Sequence, residues 1–440
     1  MIDFKLVRKE VVELLQEIIK FDTTNPPGNE KPLAEFLKEK FDREGIENRI
    51  LPAPGENRAT FWARIPGEEG GKGLLLLSHL DVVPADKKEW SVDPFSGAIK
   101  DGYIYGRGAL DIKILVVIHA VVMFLIKRNN IKLKKDLIML SVADEEEGGE
   151  AGAKYVLENF PDLTESPVVL GEGGYGTTGI LPDNKPLFSL STGEKGVAWL
   201  KIKTHGRPGH GSMPIKDSAP NKLIEFLHTL INHRFPLKFT ESMQEFFRGM
   251  AKYQGGIAKM IMNNAESLGS LGFIRKKLEE NPKLGAAIQN TISVTMGNWG
   301  YKGNVIPEIA EASLDCRIVP GTTVEDFIEE IRKLGEPFDV EVEPVITFNP
   351  NESPVDTEIY SVIKNVLNEE GVEVLPFISP GITDTRFFRM RGSLGYGIVP
   401  IIVPVEELDR IHGIDERVSL DNLEWGTKIM FEIVKRYLGK

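Results

Sequence analysis

Cysteine is nearly missing from this chain, which has one thiol, Cys316, in 440 residues. A single thiol closes no internal disulfide, and a thiolate-built zinc site needs several, so a disulfide scaffold and a structural zinc held by sulfur are both excluded. Any metal chemistry must then use histidine and carboxylate. Positive charge is also short: 53 Lys and Arg stand against 65 Asp and Glu, a net charge of −12, with the two signs interspersed rather than blocked. That balance excludes a track for nucleic-acid phosphates, which wants clustered cations. No apolar run is long enough for a membrane, the longest being Ile114 to Ile126, about 13 residues where roughly 20 are needed. Glutamine is rare, with four residues among many Glu and Lys, a balance found in thermophilic proteins.

What is present reads as a large globular enzyme. The length is a prior for two or three domains and allows a big core without covalent staples. The amino terminus carries Leu6, Val7, Val11, Leu14, Leu15, Ile18 and Ile19 at helical spacing behind a capping Asp3. This is an amphipathic helix rather than the apolar core of a signal peptide, so the expected location is the cytoplasm.

Along the first 192 residues helical and strand-like patterns alternate. Helices are expected at about 3–20, 31–44 and 114–128, and strands at 60–65, 74–78, 136–143 and 168–171. Alternation of this kind predicts an α/β layer with a mostly parallel central sheet, and chemistry beyond the carboxyl ends of its strands. From Gly193 the texture changes. An alternating strand to Thr204, a turn-rich loop at Gly206 to Gly211, a helical stretch over 221–289, strands near 291–296 and 312–318, a capped helix at 323–334 and a strand at 340–345 predict a smaller α+β domain over 193–346. The first pattern then resumes, so residues 1–192 and 347–440 are expected to form one domain interrupted by the other.

Candidate chemistry sits at the strand ends. His79 and Asp81 follow the run LLLL, and an Asp so close can take the second ring N–H of a metal-ligating imidazole. Asp111 precedes the apolar helix. Asp144, Glu145, Glu146 and Glu147 abut the strand DLIMLSVA, Glu172 lies in the glycine-rich GEGGYG loop, and His412 stands among Asp409, Asp415 and Glu416. Each feature alone has a plain explanation: a strand-end histidine on a local carboxylate, a helix cap, a solvated charge run. Together, two histidines and three carboxylates at strand ends fit a dinuclear zinc site on nitrogen and oxygen, with the ions ~3.5–4 Å apart and a spare glutamate as base. His119, inside the apolar helix, is expected to be a satisfied core histidine. His205, His228 and His233 read as structural or exposed, and Cys316 as a small buried apolar residue.

The motifs HxD, GRGxxDxK, DEExGG, GEGG, GRPGHGSMP and IHGxDERV, in this order, resemble the di-zinc amidohydrolase and peptidase family of aminoacylase, carboxypeptidase S, glutamate carboxypeptidase, acetylornithine deacetylase and succinyl-diaminopimelate desuccinylase. The resemblance implies a zinc-binding α/β domain interrupted by a lid or dimerisation domain, and a homodimer formed through it. It implies two Zn2+ per chain, replaceable by Co2+ or Mn2+: His79 and Glu172 on one ion, Glu146 and His412 on the other, Asp111 bridging, Asp81 behind His79 and Glu145 as general base. A cis peptide bond after Asp111 is also implied. His210 corresponds to the histidine that reaches across the dimer to stabilise the oxyanion. Asn304 and Arg317 correspond to residues gripping the substrate's α-carboxylate, and Gly381, Thr383 and Asp384 to a loop at the same end. Ile114, where a small residue is usual, and the long helical part of the insert depart from the pattern.

The stretches WSVDPFSGAIKDGYIYGRGALD, GEKGVAW and GRPGHGSMP look closest to the aminoacylase and carboxypeptidase branch. The expected activity is hydrolysis of an amide or peptide bond next to a free α-carboxylate, on a small-molecule substrate such as an N-acyl amino acid or short peptide, with no nucleic acid or membrane partner. The alternatives are acetylornithine deacetylase or succinyl-diaminopimelate desuccinylase and, from another class, a non-catalytic peptide-binding protein on the same scaffold.

Overall fold

A computed structural model describes residues 2–280 and 282–440 and divides the chain into two compact units, Met1–Thr192 with Ser353–Phe377 and Thr383–Lys440, and Gly193–Glu352 with Ile378–Ile382.

In the first unit the strands run in the spatial order Glu47–Pro52, Ala59–Ile65, Asp136–Val142, Lys72–His79, Val168–Thr178, Leu394–Pro404 and Leu187–Glu194. The middle pairings, from Asp136–Val142 through Lys72–His79 and Val168–Thr178 to Leu394–Pro404, are parallel, and the flanking ones are antiparallel. Strands Asp136–Val142 and Lys72–His79 are buried almost throughout, which is why they read as unbroken apolar runs rather than alternating ones. The helix Lys113–Arg128 is buried on every side from Lys113 to Ile126. It touches the helices Phe4–Ile19 and Leu420–Leu438 and the strand Lys72–His79, so a helix apolar all round has no wet face to spare. His119 lies in this core as expected, but it is not satisfied: neither ring nitrogen has a hydrogen-bond partner among the described residues. Burial holds its pKa down at about 3, so the ring is neutral. No helix among the described residues is long and apolar enough to cross a membrane.

The second unit has an antiparallel sheet in the order Thr291–Trp299, Ile309–Ile318, Gly196–His205, Val340–Phe348. Burial alternates strictly along Ile309–Ile318, because one face meets the helices Ala219–Ile231 and Val324–Gly335 and the other faces solvent. Thr323 caps the second of these helices by accepting from the Asp326 N–H, and Cys316 is fully buried in the core between the layers. The expected single helical stretch over 221–289 is broken into Ala219–Ile231, Glu241–Ala251, Gly256–Asn263, Ala265–Leu268, Gly272–Glu279 and Pro282–Ile288, with Asn281 outside the described residues. Pro236 lies in the break between Ala219–Ile231 and Glu241–Ala251, where it cannot continue a helix, and a left-handed Gly256 (φ +55°) opens the helix Gly256–Asn263, a conformation glycine adopts freely.

Candidate metal centre

Parallel strands align their carboxyl ends, and register decides which residues meet there. His79 pairs with Val142, and Leu76 with Leu170, so the chain leaving Val142 and the stretch around Glu172 lie beside His79. After Val142 the backbone turns sharply. Asp144 is left-handed (φ +71°), Glu145–Glu147 form one 3-10 turn, and Gly148 and Gly149 follow at φ +101° and +69°. The turn is pinned from beneath. Asp81, fully buried, accepts from the N–H groups of Glu145 (3.2 Å) and Glu146 (3.1 Å) and from Asn25 Nδ2 (2.9 Å). Asp144 takes Arg58 Nη1 at 2.9 Å and the Ala151 N–H at 2.8 Å.

Two expectations need correction here. Glu172 is not on a loop but inside the strand Val168–Thr178. The glycines around it serve close approach: a Cβ on Gly174 would collide with the Gly397 carbonyl, and one on Gly397 with that of Glu172. The second concerns Asp81. The acceptor nearest His79 Nδ1 is the Asp81 main-chain carbonyl at 2.9 Å, with the carboxylate behind at 3.5 Å. Either way the ring is oriented with Nε2 toward the cluster.

Around these elements the predicted groups converge. His79 Nε2 lies 3.2 Å from Asp111 Oδ1 and 3.6 Å from Glu172 Oε2, while His412 Nε2 lies 3.1 Å from Asp111 Oδ2 and 3.2 Å from Glu146 Oε2. Asp111 thus turns one oxygen to each imidazole. The peptide bond after it, Asp111–Ile112, is cis. His79, Asp111 and Glu146 offer donor atoms within 4.8 Å of one another, as do His79, Glu145 and Glu172. His79 is buried, Asp111 and Glu172 nearly so, and His412 is the exposed member, half accessible.

Crowded like charges raise the carboxyl pKa values. Glu145 is pushed well above the ordinary range, first by burial and then by Glu172, Asp384 and Glu146. Glu172 and Glu146 rise chiefly through burial. Asp384, also buried, is pushed up to about 8 by that burial, and neither of its oxygens has a hydrogen-bond partner among the described residues. Burial alone would lower the His79 pKa, but Glu172, Asp111 and Asp81 outweigh it and hold the ring well above its usual value. Hydrogen bonds to Asp111 and Glu146 raise His412 to about 10, and the two histidines together lower Asp111 despite its burial.

This donor set suits divalent cations. Its nitrogens and oxygens match zinc-type ligand chemistry without sulfur, Glu146 Oε1 is buried with no hydrogen-bond partner among the described residues, and a buried acidic group without a partner is costly unless a cation offsets it.

Residues of the second unit are arranged separately. His210 is exposed on the short strand Gly209–His210, paired with Val305. Its Nδ1 lies 2.8 Å from Ser212 Oγ. Asn304 sits beside it, its carbonyl accepting the Gly211 N–H at 2.8 Å. Arg317 does not present a free fork: its Nε and Nη2 meet Asp315 at 2.8 and 3.1 Å. Gly381 is exposed in the second unit, whereas Thr383 and Asp384 are buried in the first.

Sequence reasoning missed the supporting groups. Arg58 bridges Glu30 and Asp144, Lys113 Nζ is buried against the Phe21 carbonyl at 2.7 Å, and Arg107 pairs with Glu416. Their one sequence signal is charge inside apolar or glycine-rich surroundings, which does not name the partner.

A parallel α/β sheet with imidazoles and carboxylates gathered beyond its strand ends defines a metal-dependent hydrolase. The model of peptidase family M20/M25/M40 matches residues 75–436, and the chain belongs to that family. It is 30% identical over 373 residues to the mouse (Mus musculus) N-fatty-acyl-amino acid synthase/hydrolase PM20D1, covering 82% of this chain and 73% of that one. It is 29% identical over 425 residues to Aminoacylase-1 of Dictyostelium discoideum, covering 94% and 95%. Among solved structures, the M20 family metallo-carboxypeptidase Sso-CP2 from Sulfolobus solfataricus shares the fold, with a TM-score of 0.73 at 20% identity over 97% of this chain and 99% of that one. The resemblance read from the motifs therefore holds, including its aminoacylase and carboxypeptidase branch.

Proposed function

We propose that the protein hydrolyses the amide bond of N-acyl amino acids, and of short peptides with a free carboxyl terminus, using two Zn2+ ions. The observation that carries this reading is Asp111, which faces His79 with one oxygen and His412 with the other, at 3.2 and 3.1 Å. His79 and Glu172 would hold one ion, Glu146 and His412 the other, and Asp111 both. Ions bound there would supply Lewis acidity and lower the pKa of a water toward ~7; Co2+ and Mn2+ accept the same ligands.

Glu145 is the general base. Its carboxylate lies near the His79 and Glu172 donor atoms and its main chain is fixed by Asp81. It takes the proton of the attacking water and delivers it to the leaving nitrogen. His210 donates to the oxyanion, and its exposure suits a residue that serves the substrate of a second copy. Asn304, Arg317 and the loop of Gly381, Thr383 and Asp384 receive the substrate's carboxylate end; Arg317 would exchange Asp315 for it, in the bidentate geometry a guanidinium favours. The second unit acts as lid and dimerisation domain of a cytoplasmic homodimer. The names of the relatives support an acyl-amino-acid substrate over a biosynthetic one.

A hydrolysis panel tests the reading: N-acetyl and long-chain N-acyl amino acids, apolar and acidic dipeptides, acetylornithine and succinyl-diaminopimelate, each with Zn2+, Co2+ or Mn2+. Turnover of N-acyl amino acids is expected. Turnover confined to succinyl-diaminopimelate or acetylornithine would refute it.

A further inference from the structure

The exposed ligand candidate is also the one whose backbone is hardest to hold. His412 is left-handed (φ +60°), as is Asp415 (φ +51°), a conformation uncommon outside glycine that persists where surroundings enforce it. Two groups supply that enforcement. Ser91 anchors Asp415 Oδ1 through its N–H and Oγ at 2.8 and 3.0 Å. Arg107, 2% exposed, lays Nη2 against the carbonyls of Gly413 (3.0 Å) and His412 (3.3 Å). Its Nη1 reaches Glu416 at 2.6 Å, and its guanidinium stacks on Trp90 with 5.2 Å to the ring centroid.

Glu416, fully buried, serves the other half of the cluster. It accepts the N–H groups of Leu110 (2.6 Å), Asp111 (2.9 Å) and Gly108 (3.2 Å), so the loop carrying Asp111 hangs on this one carboxylate. We propose that Arg107 and Glu416 form a positioning clamp that sets Asp111 and His412, from segments more than 300 residues apart in sequence, at the spacing a divalent cation requires. A buried ion pair is a poor stabiliser, since apolar replacements of such pairs are often neutral or stabilising. Fixing the register of two loops is what apolar side chains cannot do.

The proposal rests on His412 and Asp111 being ligands, and its test separates the two ideas. Co2+ titrations followed by d–d absorption count the sites and their affinities in the wild type, in His412→Ala, in Arg107→Lys and in the double variant. Lysine can keep the Glu416 pair but cannot span both carbonyls. Arg107→Lys is therefore expected to weaken one of two sites by about 10- to 100-fold, the site that His412→Ala loses, leaving the other site unchanged. The double variant should bind no worse than His412→Ala alone. Glu416→Ala, which removes the acceptor of the Leu110, Asp111 and Gly108 N–H groups, should weaken both sites; it also decides the matter if Arg107→Lys does not fold by circular dichroism. Wild-type affinities in Arg107→Lys, or an effect adding in full to that of His412→Ala, overturn the clamp. If His412→Ala binds like the wild type, the ligand assignment falls, and the clamp with it.

Discussion

Glu145→Gln separates the role of base from that of ligand. Glutamine keeps the shape and removes the charge and the proton-accepting oxygen pair. The main chain at 145 is held by Asp81 through a 3.2 Å hydrogen bond, which the substitution leaves intact, so the turn should keep its form. A positioned general base contributes about 10²- to 10⁴-fold, or ~3–5 kcal/mol of barrier at 1.36 kcal/mol per decade. Glu145 sits among Glu172, Glu146 and Asp384, which push its carboxyl upward, so its loss relieves repulsion and should not cost a metal ion. The assay pairs kcat on an N-acetyl amino acid with metal content by mass spectrometry. Expected is a fall in kcat of at least about 100-fold with metal content unchanged. Glu145 also lies within donor distance of His79 and Glu172, so a parallel loss of metal would make it a ligand instead. Activity within a few fold of the wild type would remove it from the chemistry altogether.

Asp111→Asn should lose both ions, since each imidazole faces one oxygen of this carboxylate, while His412→Ala should lose about one; equal metal content in the two variants would contradict a bridging carboxylate. The raised pKa of His412, about 10, means that this ring is an imidazolium at neutral pH before metal binds. Binding must release that proton, so affinity should rise with pH, and calorimetry in two buffers should show release of at least about one proton per chain; none would refute the assignment. The sign reverses for metal-free stability. Protonated histidines with raised pKa favour the folded state fully below their unfolded pKa near 6.5, and this contribution fades as pH climbs toward 10. Arg58→Ala strands the buried Glu30 and frees Asp144 beside the turn Glu145–Glu147. It should cost about 3–5 kcal/mol, read as a lower urea midpoint at unchanged m-value; less than ~1 kcal/mol would show that the network adds little.

The cluster was legible where chemistry ends an apolar run. His79 and the acids after Val142 stand out because a polar residue directly following a buried strand needs a reason. Glu172 was legible as an acid but placed on a loop, because glycine signals both turns and close backbone contact, and only the register with Gly397 tells them apart. The strand Leu394–Pro404 went unread, since LGYGIVPIIVP mixes glycine and proline into a buried run. Arg317 looked like a free fork because its pairing with Asp315 two residues away on the same strand face cannot be separated from a solvated pair by pattern alone. The clamp was invisible for a simpler reason: its two halves lie 309 residues apart, and no local period connects them.

The place of Leu394–Pro404 bears on how the chain is made. It lies against Val168–Thr178, starting from Leu394 opposite Val168, so a strand synthesised early waits for a partner more than 200 residues downstream. During translation the edge of Val168–Thr178 has open N–H and C=O groups on the side that Leu394–Pro404 later covers, the condition under which chains pair with the wrong neighbour. Most of the polypeptide must leave the ribosome before the sheet closes, and a pairing between strands more than 200 residues apart slows folding. A chain that stalls or is cut before residue 394 would therefore keep every histidine and acid of the first half of the cluster and still present a sticky, incomplete sheet to the chaperones of the cell.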